Sequence, residues 1–176
     1  MICAIQYPSW IQPEIIPGFP FLRWYGFMYL VAFTIAFVLF KVQVKKGELQ
    51  RYTKSEKPIT NEDVIDFFTW SLFGLMLGAR IFATLVYEPT WLYWQKPWLI
   101  FWPFSESRQW TGLQGMSYHG GFIGCFLGAI LWTKRHKQDF FAWADTAAAG
   151  IPLGYTFGRI GNFLNGELYG RITTSP

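Results

Sequence analysis

Four apolar runs, at 24–44, 64–87, 118–133 and 140–164, dominate this chain. A helix needs about 20 residues to cross the ~30 Å hydrocarbon core of a bilayer, and these runs approach or exceed that length. Lipid offers the backbone no hydrogen-bond partners, so such runs fold as helices that satisfy their own amides and carbonyls. The expectation is an all-α polytopic membrane helix bundle with about four transmembrane helices, forming one membrane domain over 1–176. The third run is short, and is expected to borrow Met116 and Ser117 or to thin the bilayer locally.

Composition agrees with that reading. Only 15% of residues are charged and 52% are hydrophobic, whereas a soluble domain carries about 25% charge. Trp91, Tyr93, Trp94, Trp98, Phe101, Trp102 and Phe104 crowd the 88–117 connection, as aromatic rings do at a membrane boundary. The competing reading is a large aromatic core. Residues 1–23 hold no basic side chain before Arg23 and are interrupted by Pro8, Pro13, Pro17 and Pro20. They are read as a periplasmic or interfacial lead-in, neither a signal peptide nor a first span. Cys3 and Cys125 have no spaced Cys or His partners, so no disulfide framework and no metal site is expected.

Charge sets the orientation. Lys41, Lys45, Lys46, Arg51, Lys54 and Lys57 gather around the first connection, and Lys134, Arg135 and Lys137 around the third. Both are expected to be cytoplasmic, because Lys and Arg accumulate on that side. The aromatic connection, with Lys96 and Arg108 alone, then lies outside, as do both ends of the chain. The net charge of +4 is a topology signal. It sits in short loops and forms no continuous face for nucleic acid.

Glycines recur at four-residue steps, Gly74 with Gly78, Gly120 with Gly124 and Gly128, and Gly154 with Gly158. Small residues at this spacing let helices approach closely in lipid, and a structural seam is the favoured reading.

The orientation gives several polar residues one address, near the outer leaflet. They are Tyr25, Arg80, His119, Arg159 and Asn162, contributed by four helices. Ionisable side chains at membrane depth are costly and by default mark a function, so these five are read as lining one cavity. Each has a plainer alternative. Tyr25 suits a boundary aromatic, and Arg80 a snorkelling or helix-knitting cation. His136, among basic neighbours, reads as a solvated loop residue. His119 stands in Tyr-His-Gly-Gly, where bare backbone leaves room beside an imidazole that titrates near neutral pH and so serves as a general base. A satisfied structural histidine is the alternative.

Arg159 and Asn162 are three residues apart and share a helix face. A guanidinium binds phosphate bidentately, and an amide can hold a neighbouring ester or hydroxyl, so together they describe a phospholipid head-group site. Beyond them Gly161, Gly166 and Gly170 free the backbone to leave the helix. Glu167 and Arg171, four apart, are read as an ion pair fixing the loop.

At these positions the sequence resembles the bacterial prolipoprotein diacylglyceryl transferase family. The resemblance rests on Arg23-Trp24-Tyr25-Gly26, Gly78-Ala79-Arg80-Ile81, the run Gly115-Met116-Ser117-Tyr118-His119-Gly120-Gly121, and the signature over 158–171. These occur in family order. The resemblance implies a multi-pass enzyme of the bacterial inner membrane, with its site toward the periplasmic leaflet and no cofactor. Its implied reaction moves the diacylglyceryl group of phosphatidylglycerol onto the lipobox cysteine of a preprolipoprotein, forming a thioether and releasing glycerol phosphate. It also implies His119 and Arg159 as catalytic residues. Arg159, Tyr25, Asn162, Gly170, Glu167 and Arg80 are implied in substrate binding. Family members continue past the signature, with further helices and a second phosphate-binding arginine that has no counterpart in these 176 residues. A non-catalytic anionic-lipid-binding or transport component, or an inactive shortened transferase, is the alternative.

Overall fold

The computed structural model describes residues 7–18, 22–53, 57–87, 91–102 and 115–167. In chain order these form α1 (Trp24–Lys45), the short α2 (Glu48–Tyr52), α3 (Asn61–Phe82) with a π-helical turn at Ala83–Tyr87, and α4 (Trp91–Gln95) with a 3-10 turn at Pro97–Ile100. There follow α5 (Tyr118–Arg135), α6 (Phe140–Ala148) and α7 (Ile151–Leu164). The architecture is all-helical. Among the described residues the only extended pairing is an isolated antiparallel bridge between Glu14 and Arg23.

Two helices, Trp24–Lys45 and Asn61–Tyr87, are long and apolar enough to cross a membrane. Phe40, Val64 and Phe67 are buried, but many other large side chains of these helices are not. Leu30, Val38, Phe73 and Met76 are all at least half exposed, and so are Phe122, Leu127 and Leu131 of α5. Apolar faces this extensive are unusual on a soluble monomer and are compatible with a lipid surrounding.

The chain divides into two compact units, Met1–Lys46 with Asp145–Pro176, and Gly47–Ala144. In the second unit α3 and α5 run antiparallel along a glycine seam. A Cβ at Gly74 would collide with the Gly124 carbonyl, one at Gly78 with the Gly120 carbonyl, and one at Gly128 with the Trp70 carbonyl. The expected seam is therefore present here, and its close backbone approach requires hydrogen at each Cα. Each helix is started by a capping side chain. Thr60 and Asp63 form a reciprocal capping box on α3, and Ser117 Oγ accepts from the Gly120 amide (3.1 Å) on α5. At the far end of α5, Trp132 and Trp143 are fully buried and pack together with ring centroids 4.5 Å apart. His136, read above as a solvated loop residue, is exposed just past the end of α5, and its ring also stacks on Trp132 (4.5 Å) and sits 3.5 Å from the Asp66 carboxylate.

In the first unit α1 packs against α7, again antiparallel. Gly150 lies on Ala36, Gly154 on Ala32, and Gly161 on Met28 and Tyr25. Gly158 is not part of this seam, since open space surrounds its Cα. Four-residue steps advance about 40° around a helix. By Gly158 the row has drifted off the contact line, to which the seven-residue step from Gly154 to Gly161 returns.

The run 140–164, read from sequence as one helix, is two, broken at Ala149–Gly150. Pro152 explains the break. It has no amide to donate, and its ring would strike the carbonyl four residues back, that of Ala148, where α6 ends. Pro152 instead occupies the first turn of α7, where a missing amide costs nothing.

Candidate functional site

The second unit carries the candidate base. The Ser117 amide donates to the Ala79 carbonyl (3.0 Å), joining the start of α5 to the end of α3. Gly120 is wedged against the Phe82 side chain and the Gly78 carbonyl, with no space for a Cβ. His119, the second residue of α5, is thus held by its backbone while its side chain stays exposed. Its Nδ1 lies 2.6 Å from the Tyr87 hydroxyl.

Arg80 is buried, at 6% exposure. Its Nε donates to the Ile100 carbonyl and its Nη1 to the Gly115 carbonyl (3.3 Å). The guanidinium thereby ties the 3-10 turn at Pro97–Ile100 and the segment just before α5 to α3. Burying a charge is expensive unless hydrogen bonds surround it, and these backbone acceptors fit the helix-knitting alternative for this residue.

The π-helical turn after α3 was not foreseen from sequence. Thr84 is buried, and its hydroxyl donates back to the carbonyls of Arg80 (3.0 Å) and Ile81 (3.1 Å). Such back-bonding competes with the helical ladder, and π-turns recur at functional sites. Here the turn delivers Tyr87 to His119. Sequence reading missed Tyr87 because its partner is 32 residues away.

The first unit carries the phosphate-binding candidate. Arg159 is exposed on α7, and its guanidinium lies over the Tyr155 ring, 4.9 Å from the centroid. Its Nε donates to the Tyr155 hydroxyl (2.9 Å), and Nη2 donates to the same oxygen. Stacking on a phenol one turn back orients the planar fork before any ligand arrives. The remaining donors, which have no partner among the described residues, stay available to an anion. Tyr155 was also missed, although its four-residue spacing to Arg159 is a readable sign.

Tyr25 is half-buried, hydrogen bonded to the Tyr29 hydroxyl (2.9 Å), and its ring borders Gly161. This sets it beside the turn of α7 that bears Asn162. The helix then ends in a Schellman motif. The Glu167 amide donates to the Asn162 carbonyl (2.9 Å) and the Gly166 amide to the Phe163 carbonyl (3.0 Å), while Gly166 adopts φ +67°. That backbone conformation favours glycine. Glu167 is further held by Asn165 Nδ2, which donates to Oε1 (3.1 Å). A cavity of about 220 Å³ is lined by Gln12, Pro13, Glu14, Arg23, Asn165 and Glu167. Of the residues singled out from sequence, Glu167 and Arg23, the first residue of the Arg23-Trp24-Tyr25-Gly26 motif, border it. Gly170 and Arg171 lie outside the described residues, and with them the expected Glu167–Arg171 pair.

The model of a family described as prolipoprotein diacylglyceryl transferase matches residues 14–176. A protein of Treponema denticola named phosphatidylglycerol–prolipoprotein diacylglyceryl transferase is 65% identical over 179 residues, covering 99% of this chain and 53% of the relative. Its namesake in Treponema pallidum is 62% identical over 174 residues, covering 98% of this chain and 52% of the relative. The namesake in Chlorobaculum tepidum is 41% identical over 173 residues, covering 96% and 56%. The chain spans about half the length of these curated relatives.

Proposed function

The chain belongs to the prolipoprotein diacylglyceryl transferase family, and we propose that it acts in moving the diacylglyceryl group of phosphatidylglycerol onto the lipobox cysteine of a preprolipoprotein. The proposed setting is the bacterial inner membrane. Four membrane helices run from an outside N-terminus, and the site opens toward the periplasmic leaflet. The observation that carries the reading is Arg159, whose fork is oriented by Tyr155 and keeps donors available for an anion.

In the proposed reaction Arg159 holds the lipid phosphate, with Asn162, Tyr25, Glu167 and Gly170 around the glycerol and ester groups. His119 takes the proton of the cysteine thiol. The thiolate attacks the carbon of the diacylglyceryl group that bears the phosphate oxygen, so that a C–S bond forms as that C–O bond breaks. The electron pair departs on that oxygen, and glycerol phosphate leaves. Arg159 stabilises the charge gathering there, where a fixed cation in a water-poor site lowers the barrier most. To Arg80 we assign a bracing role, holding the aromatic connection beside the His119 segment.

Membranes carrying the full-length protein test these assignments with phosphatidylglycerol and a lipobox peptide. Arg159→Ala and His119→Ala are each expected to lower transfer by about 100-fold or more. Unchanged rates in either would remove that residue from the mechanism. Lipid binding that persists in wild-type protein without transfer would favour the non-catalytic lipid-binding reading.

A further inference from the structure

We propose that Tyr87 is a positioning residue for His119, accepting a hydrogen bond from Nδ1–H so that Nε2 is the unprotonated edge presented to the substrate thiol. This rests on the reading of His119 as the base and gives that base a partner. A neutral imidazole has one donor nitrogen and one acceptor, and the bond made by one nitrogen decides the state of the other. The Tyr87 hydroxyl is 2.6 Å from Nδ1, and among the described residues no hydrogen bond reaches Nε2. If the phenol donated to Nδ1 instead, Nε2 would carry the proton and could not take one from a thiol. The phenol oxygen is open to accept, because Tyr87 is 54% exposed and among the described residues His119 is the one hydrogen-bond partner of its hydroxyl.

Both partners are held. Tyr87 ends the π-helical turn fixed by the Thr84 hydroxyl, and its ring stands edge-on to Phe82 (5.5 Å). His119 follows Ser117, which is bonded to the Ala79 carbonyl, and precedes Gly120, packed against Phe82. The same end of α3 therefore positions the imidazole and the phenol together. Base and orienting group within hydrogen-bond reach is the arrangement that keeps a catalytic histidine in its productive tautomer.

The full-length protein, labelled with 15N-histidine, tests this directly. Loss of one signal in His119→Gln identifies the His119 resonances among the histidines of the full-length protein. Above the titration of the imidazole, His119 is expected as the Nδ1–H tautomer, and Tyr87→Phe is expected to shift it toward Nε2–H. A wild-type Nε2–H tautomer would overturn the proposal without any variant. In the transfer assay Tyr87→Phe, which keeps the ring on Phe82, should lower kcat by about tenfold or more. KM for phosphatidylglycerol should stay within about twofold, which a general loss of folding would not produce. Loss of activity in His119→Gln with full activity in Tyr87→Phe overturns the proposal alone. Full activity in His119→Gln overturns the base reading and the proposal with it.

Discussion

Arg159 joins two properties that are hard to combine, a charge free to meet an anion and a planar group already in place. Tyr155 supplies the second through its ring and its hydroxyl. Arg159→Lys keeps the charge but loses both the fork and the stacking, and should cost about 2–3 kcal/mol in kcat/KM. Tyr155→Phe keeps the ring alone and should raise KM for phosphatidylglycerol by only about two- to fivefold, because the lost bond is exposed. Steady-state kinetics with labelled lipid read both. Gly166 makes a separate prediction, since its φ of +67° closes the Schellman motif that holds Glu167. Gly166→Ala should cost about 1 kcal/mol, seen as a lower unfolding temperature in detergent. Arg159 and Asn162 could be read from sequence because charge and amide stand out in an apolar run. Tyr155 had a readable sign in its four-residue spacing to Arg159, whereas Tyr87 could not be picked out among so many aromatics without its contact to His119, 32 residues away.

The two glycine rows look alike on paper and behave differently in the fold. In the α3–α5 seam the backbones touch, so Gly74→Ala or Gly124→Ala should destabilise the protein by about 1–3 kcal/mol through overpacking. Gly158, with open space around it, should accept alanine and gain up to about 1 kcal/mol from helix propensity. Thermal unfolding of the three variants in one detergent separates these outcomes. The extents of α1 and α5 lie close to the apolar runs 24–44 and 118–133, because apolar length is a local property. The sequence reading placed α3 to begin at Val64, yet the Thr60–Asp63 capping box starts it earlier. The break before α7 was also legible in principle, through Pro152, but an apolar run hides a proline when hydropathy alone is followed. The π-helical turn was not, because it depends on a threonine hydroxyl choosing carbonyls of its own helix over solvent.

The proposed orientation rests on where lysine and arginine fall, and it belongs to the chain taken together. A cysteine at Lys57 should be shielded from a membrane-impermeant maleimide applied from the periplasmic side, and one at Trp98 should be labelled. The reverse pattern would place the site on the wrong face for an exported substrate. The proposed function comes down to one chemical step, in which the diacylglyceryl carbon leaves its phosphate for a cysteine sulfur. Phosphatidylglycerol labelled with 14C in its diacylglyceryl part and 32P in its phosphate, given to membranes with the full-length protein and a lipobox peptide, reads that step directly. The predicted result is 14C on the peptide cysteine and 32P in water-soluble glycerol phosphate, in equal amounts. Both labels remaining together, on the lipid or on the peptide, would contradict it.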